Sequence, residues 1–393
     1  MPHTASSSFL GSSRLLLITV VMLAGAATVR NQSAPAGPPG QTPAPAPPAV
    51  APLADLRVPP GFSIAVFASD LAGARMMANS PEGVLHVARR GDVVALPDTD
   101  RDGRAEPRVV LSGLTNAHTL AFRNGYLYVG TTPAVMRVRW ASGEPVGTPE
   151  PFVELPTSTP AVHVSRSILF GPDGRLYVAI GSSCNVCVEP DPRRTTIQVF
   201  DVAGKNGRTF AAGLHNAVGL DWDPRTGRLW ATETGQEQLG DDVPPDEINL
   251  IEDGKHYGFP FFYGQNVESQ VPELKDAPRT LQASSVVKPA LELPSHSTAL
   301  GLTFYTGTQF PEAYRTMFVT LHGSTARSEK NGYKILRVVM KDGRPVAVDD
   351  FATGWLKDGV VSGRPRGIIT GPDGALYVSD DNKGFIYRIS YSR

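Results

Sequence analysis

The sequence predicts an all-β fold, a six-bladed β-propeller, and three observations carry that expectation. A turn followed by an alternating strand recurs six times along the chain, a second short strand precedes most of these turns, and long amphipathic helices are nearly absent.

The repeated phrase is Pro81-Glu-Gly-Val-Leu-His-Val, Arg123-Asn-Gly-Tyr-Leu-Tyr-Val, Gly171-Pro-Asp-Gly-Arg-Leu-Tyr-Val, Arg225-Thr-Gly-Arg-Leu-Trp-Ala, Tyr314-Arg-Thr-Met-Phe-Val and Gly371-Pro-Asp-Gly-Ala-Leu-Tyr-Val. Asp-Gly and Asn-Gly supply the positive φ of a tight hairpin turn, and the run that follows alternates faces at period two. The strands expected before the turns begin at Thr119, Ser167, Gly219, Gly301 and Gly367. Units of roughly forty to sixty residues built this way match propeller blades. The gap between the Leu229 and Met317 phrases is nearly twice the others. Its Pro/Gly-rich stretch from Gly235 to Ser295 reads as long loops over one end, with an extra hairpin or a missed repeat as alternatives.

Ahead of the propeller, residues 1–30 have the layout of an export signal: His3 and Arg14 precede an apolar run from Leu15 to Val29 that ends in small residues. That run is shorter than the ~20 residues of a spanning helix. The expected location is periplasmic or secreted, with membrane attachment only if the segment is retained as an anchor. Residues 31–55 form a Pro/Ala-rich linker, which cannot bury apolar area, and the propeller is expected over 56–393. The 37 basic and 38 acidic residues are interspersed, so no sustained field favours nucleic acid as a partner. The two cysteines, Cys184 and Cys187, are too few for a zinc site and read as a local disulfide in an oxidising compartment.

In a propeller the innermost strands line the central channel, so residues at their entrances converge. Just before those strands stand His118, His163 and Arg166, His215 and Asn216, His296, and Arg364 and Arg366; four of the eight histidines occupy these equivalent places. Any one of them alone reads as a surface loop residue. Recurrence at one phase reads instead as a ring of imidazole and guanidinium donors, suited to an anionic ligand. A channel for a bare metal ion would present Asp and Glu. Neutral imidazole can take a hydroxyl proton, but no side chain accepts a hydride, so an oxidation here needs an organic cofactor. No Gly-x-Gly-x-x-Gly opens a helix after a strand, which argues against nicotinamide or flavin on a Rossmann fold. A quinone remains.

At these residues the chain resembles the soluble PQQ-dependent sugar dehydrogenases, the glucose and sorbosone dehydrogenase family of six-bladed propellers, over about Val58 to Tyr391. The resemblance implies oxidation of a sugar or polyol, with His163 as the base that takes the hydroxyl proton while hydride passes to pyrroloquinoline quinone (PQQ). It implies cofactor contacts from His118, Arg166, His215, Asn216, His322, Arg364 and Arg366, the paired arginines meeting PQQ carboxylates. The stretch Glu233-Thr-Gly-Gln236, with Asp246-Glu-Ile-Asn-Leu-Ile251 and Tyr257-Gly-Phe-Pro260, resembles the family's calcium and cofactor loop. It implies Ca²⁺ on the backbone carbonyls of Gly235 and Gln236; Asp246 and Glu247 either serve a second calcium or buttress the loop. The chain departs from glucose-oxidising members at His215, where they have arginine, and at Val162, where they have aspartate. His322 falls near a family lysine. Gly181-Ser-Ser-Cys-Asn-Val-Cys187 and His322-Gly-Ser324 look closer to the sorbosone-dehydrogenase-like branch.

Asp98-Thr-Asp-Arg-Asp-Gly103 has the acidic spacing of an EF-hand loop, but Val109 stands at position twelve and no flanking helix is evident, so it reads as a turn between strands, with a weak calcium site as the alternative. Two other functions fit the same propeller: a Ca²⁺-dependent lactonase-type hydrolase, which would need carboxylates at the axis, and a sugar-binding module without catalysis. The electron acceptor is not written in the sequence.

Overall fold

The computed structural model describes residues 53–157 and 161–392. The expected signal (1–30) and residues 31–52 of the expected linker lie outside the described residues. Among the described residues no helix is long and apolar enough to cross a membrane.

Each repeated phrase folds as the second strand of a sheet: Leu85–Arg89, Tyr126–Gly130, Leu176–Ile180, Leu229–Glu233, Met317–Leu321 and Leu376–Asp380. Each pairs antiparallel with an inner strand, respectively Met77–Asn79, Thr119–Arg123, Arg166–Phe170, Ala217–Trp222, Ala299–Phe304 and Pro365–Thr370. Two further strands complete each sheet, blade 3 adding a fifth short one, Lys255–His256, parallel to its fourth, and make six blades, numbered here in that order. Blade 6 takes its outermost strand, Phe62–Ala68, from the other end of the chain, where Phe62 pairs with Tyr391 and Ile64 with Ile389. Each inner strand packs against the next, from blade 1 round to blade 6 and back to blade 1. The six-bladed expectation holds.

The long interval between the fourth and fifth phrases contains no further blade. It holds the fourth strand of blade 4 (Leu291–Leu293), a short ribbon pairing Phe262–Tyr263 with Val267–Glu268, and three single-turn 3₁₀ helices. Its own small apolar cluster forms around Phe261, Val271 and Leu274. The Asp98 loop lies between Asp92–Leu96 and Arg108–Ser112, a turn between strands as expected.

The period-two alternation has its physical outlet between blades. One apolar cluster fills each interface; that between blades 4 and 5 joins Trp230 and Ile248 to Leu302, Met317, Val319 and Leu336. Near the axis the packing is closer still. Blades 4, 5 and 6 carry an irregularity in the inner strand around Gly219, Gly301 and Gly367. A Cβ on Gly301 would stand 2.5 Å from the Arg366 carbonyl oxygen, so only glycine lets the two backbones approach. The displaced amide is not lost. Thr320 Oγ1 accepts from Gly301 N at 2.7 Å and donates to Arg366 O at 2.5 Å. Thr232 does the same for Gly219 N and Leu300 O, and Ser379 for Gly367 N and Arg75 O. Hydroxyls thus stitch successive inner strands at the level where the site begins.

Candidate functional site

The axial channel is interrupted by Met76, Val218 and Leu300, which form an apolar plug. On one side lies a cavity of about 310 Å³ lined mainly by the inner strands. On the other lies a cavity of about 710 Å³ whose wall includes Arg90, His163, His215, Asn216, His296, His322, Arg364 and Arg366. All but Arg90 and His322 of these are residues that the sequence placed at one phase of separate blades, and the cavity falls within the 300–1,000 Å³ of ordinary small-molecule sites.

His163 is the imidazole whose state the structure defines most fully. Its Nδ1 lies 3.2 Å from the Ser182 carbonyl and 3.1 Å from Ser182 Oγ. The Ser182 hydroxyl donates its own hydrogen to the Cys184 carbonyl, so both partners of Nδ1 are acceptors and Nδ1 carries the proton. Nε2 is left with the lone pair. Burial holds the His163 pKa well below the usual histidine range, reinforced by His215, whose ring stands edge-to-face at 4.6 Å, while the Ser182 bond opposes the shift. Val162, 58% exposed, gives the mouth beside it an apolar edge where a carboxylate was noted as missing.

On the opposite wall a residue the sequence reading missed organises the cations. Asp381 Oδ1 lies 2.8 Å from His322 Nε2, and its Oδ2 accepts from Arg366 Nη1 at 2.5 Å. Burial opposes ionisation there, but the His322 hydrogen bond and the Arg366 charge hold the carboxyl well below its usual range. Arg364 is anchored by the carbonyls of His322 (3.2 Å) and Gly323 (2.6 Å) and lies over the Tyr333 ring. Arg90 also lines the cavity and was missed, as was the buried Arg75, whose pKa burial pushes down to about 9 with help from Arg366 and Arg90. One positional signal would have found Arg90 and Asp381: each directly follows the second strand of its blade, as His322 does.

Two expected contacts sit elsewhere. His118 is completely buried, lines no part of the large cavity, and neither ring nitrogen has a hydrogen-bond partner. Arg166 is equally buried, its guanidinium spent on the carbonyls of Pro156, His163 and Ser165. Both were placed by phase, which does not report depth, and both side chains are fully buried away from the cavity wall. Arg166 therefore supports the His163 backbone. His215 and Asn216 do reach the wall; His215 Nδ1 bonds the Thr234 carbonyl at 2.8 Å, and burial takes its pKa down to about 4. Asn216 Nδ2 reaches Thr234 Oγ1 at 3.4 Å.

The segment expected to hold a metal lies on the same wall. Gly235 and Asp246 line the large cavity, whereas Gln236 and Glu247 line a neighbouring void of about 20 Å³ with Glu233. The Gly235 and Gln236 carbonyls accept no hydrogen bond among the described residues. Asp246 instead receives Gly235 N, Ser297 Oγ and Ala299 N, and burial raises it to about 6. Glu247 is raised by burial to about 7 and receives Asn249 and Gly264 N. Glu233, its cross-strand neighbour, is raised well above the usual range by burial and by Glu247. Cys184 and Cys187 are joined as a disulfide.

A family model described as TrAA12-like matches residues 56–392. An uncharacterized protein of Borreliella burgdorferi is 35% identical over 248 residues, 62% of this chain and 64% of that protein. The chain spans less than two thirds of the length of the curated relatives it matches. A Trichoderma reesei carbohydrate-active enzyme of Family AA12, solved in iodide and calcium forms, is similar with a TM-score of 0.74. In the iodide form it is 22% identical over 86% of this chain and 98% of that one. The holo form of the pyranose dehydrogenase PQQ domain from Coprinopsis cinerea has a TM-score of 0.72 at 21% identity, covering 85% of this chain and 97% of that one. At these identities the two structures establish the fold.

Proposed function

The chain belongs to the TrAA12-like family, and from that premise we propose that it is a PQQ-dependent dehydrogenase that oxidises a sugar or related polyol. The observation that carries the reading is His163: a half-buried, neutral imidazole on the cavity wall, with Nδ1 tied to Ser182 and Nε2 free to take a hydroxyl proton.

The donor set fits the cofactor. PQQ carries three carboxylates, and Arg90, Arg364 and Arg366 present guanidinium groups to the cavity with Asn216 and the neutral imidazoles of His215 and His322 beside them. When bound, PQQ supplies a quinone carbon that accepts hydride. His163 holds the substrate hydroxyl and withdraws its proton. His322 and Asp381 keep Arg366 aimed across the cavity, and the Met76, Val218 and Leu300 plug closes the channel to water from the far side. The unengaged carbonyls of Gly235 and Gln236, with Asp246 near them, are the oxygens that would hold a Ca²⁺. His118 and Arg166, buried away from the cavity wall, do not act by contact.

Export to the periplasm or medium belongs to the same proposal, since the N-terminal residues have the layout of a signal. The hydrolase alternative finds less support, because the cavity wall is mainly basic. The test is titration of the purified protein with PQQ, with and without Ca²⁺, followed by cofactor absorbance and by dye reduction over aldoses, sorbosone and polyols. Calcium-dependent binding with turnover is expected. Absence of PQQ binding would overturn the reading and favour a sugar-binding module.

A further inference from the structure

Beside His163 runs a six-residue loop that the reaction as described does not use. Residues 182–187 follow the second strand of blade 3, and the Cys184–Cys187 disulfide closes the last four of them into a ring. One end of this loop is fastened to the imidazole: besides the two contacts to Nδ1, the Ser182 carbonyl accepts from His163 N at 3.3 Å and the Ser183 carbonyl from Val162 N at 3.0 Å. Ser182 N in turn donates to the His215 carbonyl at 2.8 Å. Glu189 holds the loop from behind, accepting from Ser183 N and Ser183 Oγ.

The other end is fastened to a different blade. Asn185 Nδ2 donates to the Glu237 carbonyl at 3.0 Å, and Glu237 N donates back to Asn185 Oδ1 at 2.8 Å. This reciprocal pair satisfies a backbone donor and acceptor directly after Gly235 and Gln236. An uncrosslinked loop of this size, rich in small polar residues, would sample many conformations, and each hydrogen bond would be paid for in lost entropy. The covalent closure of residues 184–187 removes part of that freedom beforehand.

We propose that this disulfide-closed loop is a positioning strut, which fixes the tautomer and orientation of His163 and sets its distance from the Gly235–Glu237 segment, with Asn185 as the positioning residue at its tip. The inference rests on the reading of His163 as the base. Side chains that only filled space would not engage both ends of a cofactor site by reciprocal backbone pairing. Here one short ring does so, and its two attachments belong to blades 3 and 4.

The test uses Cys184→Ser/Cys187→Ser and, separately, Asn185→Ala, which alters a partly exposed side chain and leaves the core untouched. A thiol reductant is unsuitable, because it would also reduce a quinone. Two readouts are taken: the ¹⁵N ring resonances of His163, assigned with His163→Gln, and steady-state kinetics with PQQ and Ca²⁺. In the wild type the ring is expected as a single Nδ1-protonated species. In the double variant it becomes a tautomer mixture and kcat falls about tenfold or more, as a small misplacement of a reacting group produces. Asn185→Ala lowers kcat in the same direction with the sugar KM little changed, the pattern of a contact that matters only in the transition state. Unchanged ring resonances and unchanged kcat in both variants would overturn the strut. Altered ring resonances in a protein whose wild type shows no quinone turnover would uphold the strut and remove the dehydrogenase reading.

Discussion

Asp381 and His322 meet across the cavity wall at 2.8 Å, and the same carboxylate takes the Arg366 guanidinium on its other oxygen. Since His322 is neutral near pH 7, its pKa lying at about 4 mainly because of burial, the formal charges of this group cancel between Asp381 and Arg366. Replacing Asp381 by Asn leaves a largely buried guanidinium without its counter-charge. Asp381→Asn should cost about 3 kcal/mol of stability at pH 7. The folded-state pKa of Asp381 is depressed, so its contribution is complete above the unfolded value of about 3.9 and disappears as pH falls through the folded value. Melting temperatures of the two proteins should therefore converge only below about pH 4.

His163→Gln keeps a polar side chain of similar reach but removes the base. The expected result is a kcat lowered by about 10²–10⁴-fold, with PQQ still bound as judged by cofactor absorbance. Turnover near the wild-type rate with PQQ bound would assign proton removal to another group.

The same histidine sets the acid limb of activity. Burial, then His215, keeps the folded-state pKa of His163 well below 6.5. The neutral base persists as pH falls past the ordinary histidine range. A pH profile of kcat/KM in the holo-protein should stay level through pH 6.5 and decline only at lower pH; a midpoint at or above about 6.5 would contradict the burial of this ring.

Stability responds differently to the same protons. His118 and His322 both have folded-state values below 6.5, in each case first through burial. The unfolded chain then binds more protons between the two values, so stability falls as pH drops below about 6.5, for His322 down to about 4. Each group removes at most about 1.4 kcal/mol per pH unit in that window. Thermal melts at pH 7, 6 and 5 should show a steepening loss that His322→Gln reduces.

Thr320 offers a test of the axial stitching. Thr320→Val keeps the shape but strands the buried Gly301 N–H and the Arg366 carbonyl, a loss of about 1–3 kcal/mol. Thr320→Ser should recover most of it. Because Arg366 loses its backbone anchor in the valine variant, PQQ affinity should fall with stability, measured by the same absorbance titration.

How much of this was legible depends on where the signal lives. Hairpins such as Gly171-Pro-Asp-Gly-Arg-Leu-Tyr-Val are local, since turn chemistry and alternation sit in eight adjacent residues, and all six folded as second strands. The outer strands Glu144–Glu154 and Arg344–Ala352 are mostly exposed and carry no alternation to read. The inner strand of blade 1, Met77–Asn79, is only three residues long. Pairing of Phe62–Ala68 with residues more than three hundred positions away leaves no local trace at all. Within the site, phase along the repeat located His163, Arg364 and Arg366 but could not report depth, which is why His118 and Arg166 were taken for wall residues. Asp381 sits in Asp380-Asp-Asn-Lys383, a string that reads as a solvated turn, and only the approach of blade 5 turns it into the partner of two cations.

The borrowed strand of blade 6 bears on the order of events in the cell. The ring cannot shut until Phe62–Ala68 meets Phe385–Tyr391, so nearly the entire polypeptide must emerge before the last sheet exists. A nascent chain is thereby kept from locking into its final shape until its C-terminal strand arrives.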